Sequence, residues 1–161
     1  MPRISPLSHR SNLKQNGRLD RQSVVAGDLF VYGSLRCPEV LEVLLGRVPQ
    51  GRPATATGWR AAKLMHQIYP GLTPAEGTAE GIVISDLSEA EWQMLNTFED
   101  PIYDLRRLEL SNADSAWAYV CSDGTPVSDD NWDIDQFIST QMEAYVTRCR
   151  IWRKAYEEKL R

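Results

Sequence analysis

A chain of 161 residues has room for one core of ordinary size, and nothing in it calls for a second domain. Its 42% hydrophobic and 25% charged residues suit a globular protein in water, and no apolar run approaches the ~20 residues of a membrane helix. The net charge of −4 is uneven: residues 1–22 hold Arg3, Arg10, Lys14, Arg18 and Arg21 against Asp20, a balance of +4, which leaves −8 for the rest and argues against nucleic acid as a partner.

Cys37, Cys121 and Cys149 make neither an even disulfide set nor a CxxC spacing, which suits reduced thiols in a cytoplasmic protein. With only His9 and His66, a His-rich metal site is excluded on numbers, and a catalytic triad would have to use His66.

Residues 1–26 are polar, aperiodic and basic, and read as a flexible tail ahead of a domain spanning 27–161. Asp28 to Ser34, DLFVYGS, predicts a buried strand ending in a tight turn at Gly33. Successive amides of Gly33, Ser34 and Leu35 could there present donors to an anion. Pro38 opens a helix with Leu41, Leu44 and Leu45 inward and Gly46 as its stop. This strand, turn and helix lack GxxxxGK[ST] and GxGxxG, which leaves nucleotide binding the weaker alternative.

A strand over 54–64 with a bulge at Gly58-Trp59 comes next, then a short extended piece, 67–72, ending in a Tyr69-Pro70-Gly71 turn. Residues 77–84 predict another strand. Ser88 and Glu91 form a capping box, with Leu87 and Trp92 as its staple, for a helix that buries Trp92, Leu95 and Phe98. Asp100-Pro101 ends it, so Glu99 is expected in the last turn at the core's edge. The helix dipole, partial burial, Asp100 and Asp104 should all push its pKa upward.

Residues 103–110 and 116–121 predict a strand pair joined at Asn112-Ala113-Asp114, and Asp123 to Asn131 a polar loop. From Asp133, capped with Gln136, one long helix is expected with Ile134, Phe137, Ile138, Tyr145, Val146, Cys149, Trp152 and Tyr156 near one face. The sum is a single α+β domain with a small mixed, barrel-like sheet and flanking helices.

FVYGSL at 30–35, IYPGL at 68–72, TAEGIVISDL at 78–87 and LNTFEDPIY at 95–103 together resemble, in order and spacing, the γ-glutamylcyclotransferase-like family that includes the avirulence-induced-gene proteins. That resemblance implies a compact α+β barrel-like fold, a loop at Tyr32, Gly33, Ser34 and Leu35 that binds a γ-glutamyl group, and Glu99 as acid/base. Tyr103 matches a substrate-positioning tyrosine of the family, and Tyr69 sits on the third piece of the same cleft. The implied partner is a small γ-glutamyl substrate, converted to 5-oxoproline by its own α-amino group. No metal or organic cofactor is then required, nor any Ser-His or Cys-His pair. Two other readings stand beside it: a thiol enzyme based on Cys37, whose pKa a helix N-terminus would lower, and a non-catalytic module that binds a small molecule or a partner.

Overall fold

The computed structural model describes residues 20–161. β1 (Leu29–Val31) is buried on both faces, with Leu29 and Val31 in one apolar cluster and Phe30 in another. An unbroken apolar run behaves this way when a strand is covered on both sides. β2 (Gly51–Leu64) and β3 (Pro70–Ile84) make a long antiparallel hairpin from Gly51↔Ile84 to Lys63↔Pro70. Its register shifts between Thr57 and Trp59, where Gly58 takes φ 91°, the expected bulge.

β4 (Tyr103–Glu109) and β5 (Ser115–Cys121) form the expected second hairpin, in unbroken register from Tyr103↔Cys121 to Glu109↔Ser115. β5 runs parallel to both β1 and β3, and the strand order is β4-β5-β1-β3-β2-β6. The result is one domain built on a curled, six-stranded mixed sheet, a half-barrel. One cluster is rich in small side chains, with Ala54, Ala56, Ala79, Ala116 and Ala118 beside Phe30, Leu72 and Leu108, as the inside of a tight curl requires. The other joins the sheet to α1 (Pro38–Leu45), α2 (Glu89–Phe98), α3 (Ile134–Thr140) and α4 (Met142–Lys159).

Several expectations need correction. Of the expected tail, residues 1–19 lie outside the described residues, but residues 20–26 pack on the domain. Arg21–Ser23 form a 3₁₀ turn and Val24 is buried. Pro70 and Gly71 are not a turn; they open β3, where the first strand position tolerates the missing proline N–H. The chain reverses just before them, through exposed His66 at φ 66°.

The supposed loop contains β6 (Val127–Asn131), which pairs with β2. Its sequence is polar because it is an edge strand. Arg60 anchors it by donating to the Ser128 carbonyl at 2.6 Å and to Asn131 Oδ1 at 3.0 Å.

The long helix is two helices broken at Gln141 (φ −124°, ψ −19°). Phe137 and Val146 would stand about 180° apart on one straight helix, and the break lets both be buried. Ile138 consequently faces solvent, 47% exposed.

Gly71 shows how closely the strands approach. A Cβ there would lie 2.2 Å from Cys121 Sγ and 2.8 Å from Leu64 Cδ2. Gly71→Ala is expected to destabilise the protein by about 1–3 kcal/mol through overpacking. Adding Cys121→Ala should return part of that loss in urea unfolding; an unaltered midpoint in the single variant would contradict the close approach.

Candidate active site

The 3₁₀ turn Ser34–Arg36, the Tyr69-Pro70 entry to β3, the segment after α2 and the face of α4 enclose a cavity of about 890 Å³. Each wall traces to a local cause. Gly33 has φ −125°, so it is not needed for a left-handed turn; its missing Cβ would stand 2.8 Å from Pro70 Cγ and 2.9 Å from Cδ. Glycine is required there by packing between two walls. The turn beyond it is closed by the Arg36 amide on the Gly33 carbonyl (2.9 Å) and the Cys37 amide on the Ser34 carbonyl (3.0 Å). Amides at the opening of such a turn, here those of Ser34 and Leu35, have no partner within it and can serve a ligand. Ser34 is buried and its hydroxyl donates to Tyr145 Oη at 3.2 Å, while Leu35 packs into the core.

The tyrosines expected to hold substrate all line the cavity, yet their hydroxyls already have work in the walls. Tyr32 donates to the Tyr119 carbonyl and accepts from the Leu72 amide at 3.2 Å. Tyr103 donates to the Pro70 carbonyl. Tyr69 donates to Asp100 Oδ2 at 2.7 Å. Burial raises the pKa of all three, so each remains a protonated donor. These hydroxyls tie the turn, the β3 entry and the α2 exit together, and the rings supply the surface.

Glu99 lies among them, half-buried. α2 stops at Phe98, one residue earlier than expected, and Glu99 is its extended cap (φ −69°, ψ 144°), with its amide on the Leu95 carbonyl at 3.0 Å. Its pKa is pushed up to about 7. Burial is the main cause, Arg21 opposes it and Asp100 adds to it.

Arg21 and Asn96 are among the lining residues that were not anticipated. The Arg21 guanidinium donates to four carbonyls around the α2 exit: Asn96 at 3.0 Å, Glu99 at 2.6 Å, Asp100 at 2.9 Å and Tyr103 at 2.8 Å. It also lies 5.7 Å from the centre of the Tyr119 ring. Asn96, fully buried, donates to the Val24 carbonyl at 3.0 Å and accepts from the Tyr119 hydroxyl at 2.6 Å. A basic side chain at a helix C-terminus is a familiar cap, but Arg21 arrives from 75 to 82 residues away, so no local pattern marks it. The polar residue at 96 on an otherwise apolar helix face was the only local hint of that bond.

The thiol reading does not survive. Cys37 is 2% exposed and its pKa is raised to about 11, by burial first and by Glu39 second. The lowering expected from the helix start is outweighed, and His66 is not among the residues lining the cavity. Among the described residues, no helix is long and apolar enough to cross a membrane.

With this geometry in view, comparison with known proteins is specific. The family described as "Gamma-glutamyl cyclotransferase, AIG2-like" matches residues 29–134. AIG2-like protein C of Arabidopsis thaliana is 35% identical over 129 residues, covering 76% of this chain and 75% of that protein. AIG2-like protein D of the same plant is 27% identical over 135 residues, covering 77% of this chain and 87% of that protein. The chain belongs to the AIG2-like γ-glutamyl cyclotransferase family. In fold it is similar to the solution structure of At3g28950.1 from Arabidopsis thaliana, with a TM-score of 0.59 at 27% identity, covering 83% of this chain and 84% of that one. The stretch matched by the family model contains Tyr32–Leu35, Tyr69, Glu99 and Tyr103. Arg21 and all of α4 fall outside it.

The raised Glu99 pKa has a sign that can be checked. Between about 4.5, the ordinary value, and about 7 the folded protein keeps a proton that the unfolded chain releases, so this group lowers stability as pH rises through that window. Glu99→Gln should lack that decline, its thermal midpoint gaining on the parent's from pH ~4.5 to ~7 and holding level above. Arg21→Met should move the Glu99 midpoint upward when the side-chain carboxyl carbon is followed by NMR, and Arg21→Lys should restore part of the shift but not the stability. An unmoved midpoint in Arg21→Met would remove the electrostatic link.

Proposed function

We propose that this protein is a γ-glutamyl cyclotransferase that releases 5-oxoproline from a γ-glutamyl amine or amino acid, with Glu99 as general acid and base. The observation that carries the reading is Glu99 itself: a carboxyl with a pKa of about 7 on the wall of a cavity shared with the Tyr32–Leu35 turn. The substrate's α-amino nitrogen attacks its γ-carbonyl carbon and closes a five-membered ring. Glu99 takes a proton from that nitrogen and returns it to the leaving amine as the original C–N bond breaks, so neither water nor an oxidant enters. A reference carboxyl near 4.3 and an α-amine near 8 would leave a proton-transfer gap of about 5 kcal/mol; with Glu99 near 7 the gap falls to about 1.4 kcal/mol. The amides of Ser34 and Leu35 at the opening of the turn are the donors for the developing oxyanion, and folding the substrate in the cavity makes the attack intramolecular.

The substrate supplies the nucleophile, so the reaction calls for no metal or organic cofactor. A non-catalytic binding module on the same cavity is favoured by one observation: the hydroxyls of Tyr32 and Tyr103 are committed to backbone carbonyls, leaving fewer groups free for substrate.

Turnover decides between them. Incubation with a panel of γ-glutamyl amines and dipeptides should release 5-oxoproline, and Glu99→Gln should bind the same compounds while losing about a hundredfold or more in rate. A rate retained within about tenfold would take Glu99 out of the chemistry. Gly33→Ala, which drives a methyl group into the Pro70 ring, should lower kcat/KM per folded molecule more than it lowers the thermal midpoint.

A further inference from the structure

The cavity is larger than a γ-glutamyl group needs. At about 890 Å³ it falls in the range that holds drug-sized ligands, and its lining combines two kinds of chemistry. One part of the lining is Glu99 and the Tyr32–Leu35 turn. Another is Phe98 and one face of α4: Arg148, Ile151, Trp152 and Ala155 all line the cavity. Their spacing of three, four and seven puts them in a single stripe along the helix, cationic at its start and apolar beyond.

The stripe has a definite shape. The Trp152 ring meets Phe98 edge-on at 5.0 Å and stacks on Tyr156 at 5.0 Å, so its orientation is held from both sides. Ala155 leaves space beside it. Ile151 is 67% exposed although it borders the cavity, an apolar side chain left in water at the mouth of a site. Arg148 lies with its guanidinium 5.7 Å from the centre of the Tyr145 ring, the same tyrosine that receives the Ser34 hydroxyl. Among the described residues no carboxylate lies within ion-pair distance of Arg148. A positive charge seated on an aromatic face beside an apolar slot suits a ligand that carries a carboxylate and a large apolar group on neighbouring atoms.

We infer that the α4 face of the cavity is a leaving-group subsite for the aromatic or large aliphatic amino acid of a γ-glutamyl dipeptide, with Arg148 receiving that residue's carboxylate. The inference rests on the γ-glutamyl reading above and narrows it from amines in general to apolar α-amino acids. When the scissile C–N bond breaks, the subsite would hold the departing amino acid while Glu99 delivers the proton to its nitrogen. α4 lies outside the stretch matched by the family model.

Calorimetry on the full chain carrying Glu99→Gln, in which turnover is expected to be at least about a hundredfold slower, tests it with three probes: γ-glutamylphenylalanine, γ-glutamylalanine and γ-glutamylphenethylamide. The first should bind about tenfold or more tighter than either of the others, since one lacks the ring and the other the carboxylate. Adding Arg148→Gln should erase the difference from the phenethylamide alone, and adding Ile151→Asp should shrink the difference from the alanine compound. Both positions are exposed, so neither change removes a core contact. Three equal affinities, with 5-oxoproline still released by the parent protein, would overturn the subsite and leave the activity standing. No binding by any of the three and no 5-oxoproline from the parent would overturn the γ-glutamyl reading and the subsite with it. A dimer that Ile151→Asp dissociates in sedimentation, with ligand affinities unchanged, would overturn the subsite in favour of a second copy on this face.

Discussion

The site depends on one cation and four carbonyls. α2 ends at Phe98 against the rest of the molecule, and one guanidinium, that of Arg21, gathers the carbonyls of Asn96 in its last turn and of Glu99, Asp100 and Tyr103 in the segment that follows. Hydrogen bonds to a charged group contribute about 1.5–3 kcal/mol each, so even after discounting for partial exposure the set is worth a substantial share of the roughly 5–15 kcal/mol that holds a domain together. The same interaction sets the path of residues 99–103 and therefore where the Glu99 carboxyl sits. It also places a positive charge near that carboxyl, which limits how far burial can raise its pKa. A carboxyl buried alone would remain protonated well above neutral pH; one beside a full ion pair would fall to the usual carboxylate range. Arg21 spends its donors on carbonyls and leaves Glu99 between those extremes.

Around this anchor the walls are joined by phenols and by missing methyl groups. Tyr32 spans β5 and β3, Tyr103 ties the α2 exit to Pro70, and Tyr69 reaches Asp100. Gly33 and Gly71 let the turn touch Pro70 and the strand touch Cys121. Neither glycine has a positive φ; both are there for contact. Such a site is rigid by construction, because moving one wall breaks a hydrogen bond in another. That rigidity suits an intramolecular cyclisation, in which the catalyst's main task is to hold a flexible substrate folded.

How much of this was legible in the residues follows from range. The capping box of Ser88 and Glu91, the proline start and glycine stop of α1, the bulge at Gly58 and the β4–β5 hairpin are local, and each is present. Elements whose identity depends on distant partners were misread. β6 has one apolar residue and exists because Arg60 and β2 hold it, and the break at Gln141 exists because Phe137 and Val146 must both face inward. Arg21 looked like part of a basic tail since nothing near it announces carbonyls some 75 residues away. Glu99 could be placed beside the cavity and the upward direction of its pKa read, with burial among the causes; that burial leads and that Arg21 opposes it depends on a cavity built from four separate segments.

The cavity therefore has two parts of different origin. The part that holds Glu99 and the Tyr32–Leu35 turn lies on the sheet and α2, within the stretch that defines the family, and its geometry is fixed by backbone contacts that tolerate little change. The other part is one face of a helix reached after the family stretch ends, where Trp152 is packed between Phe98 and Tyr156 while Arg148, Ile151 and Ala155 are exposed. A fold arranged this way can keep one reaction on its rigid side while the group being released is selected on the other. For this chain, the side chains on that second face are a cation, a branched aliphatic, a tryptophan and an alanine, and the proposed leaving-group subsite stands on them alone, independently of the part proposed to break the bond.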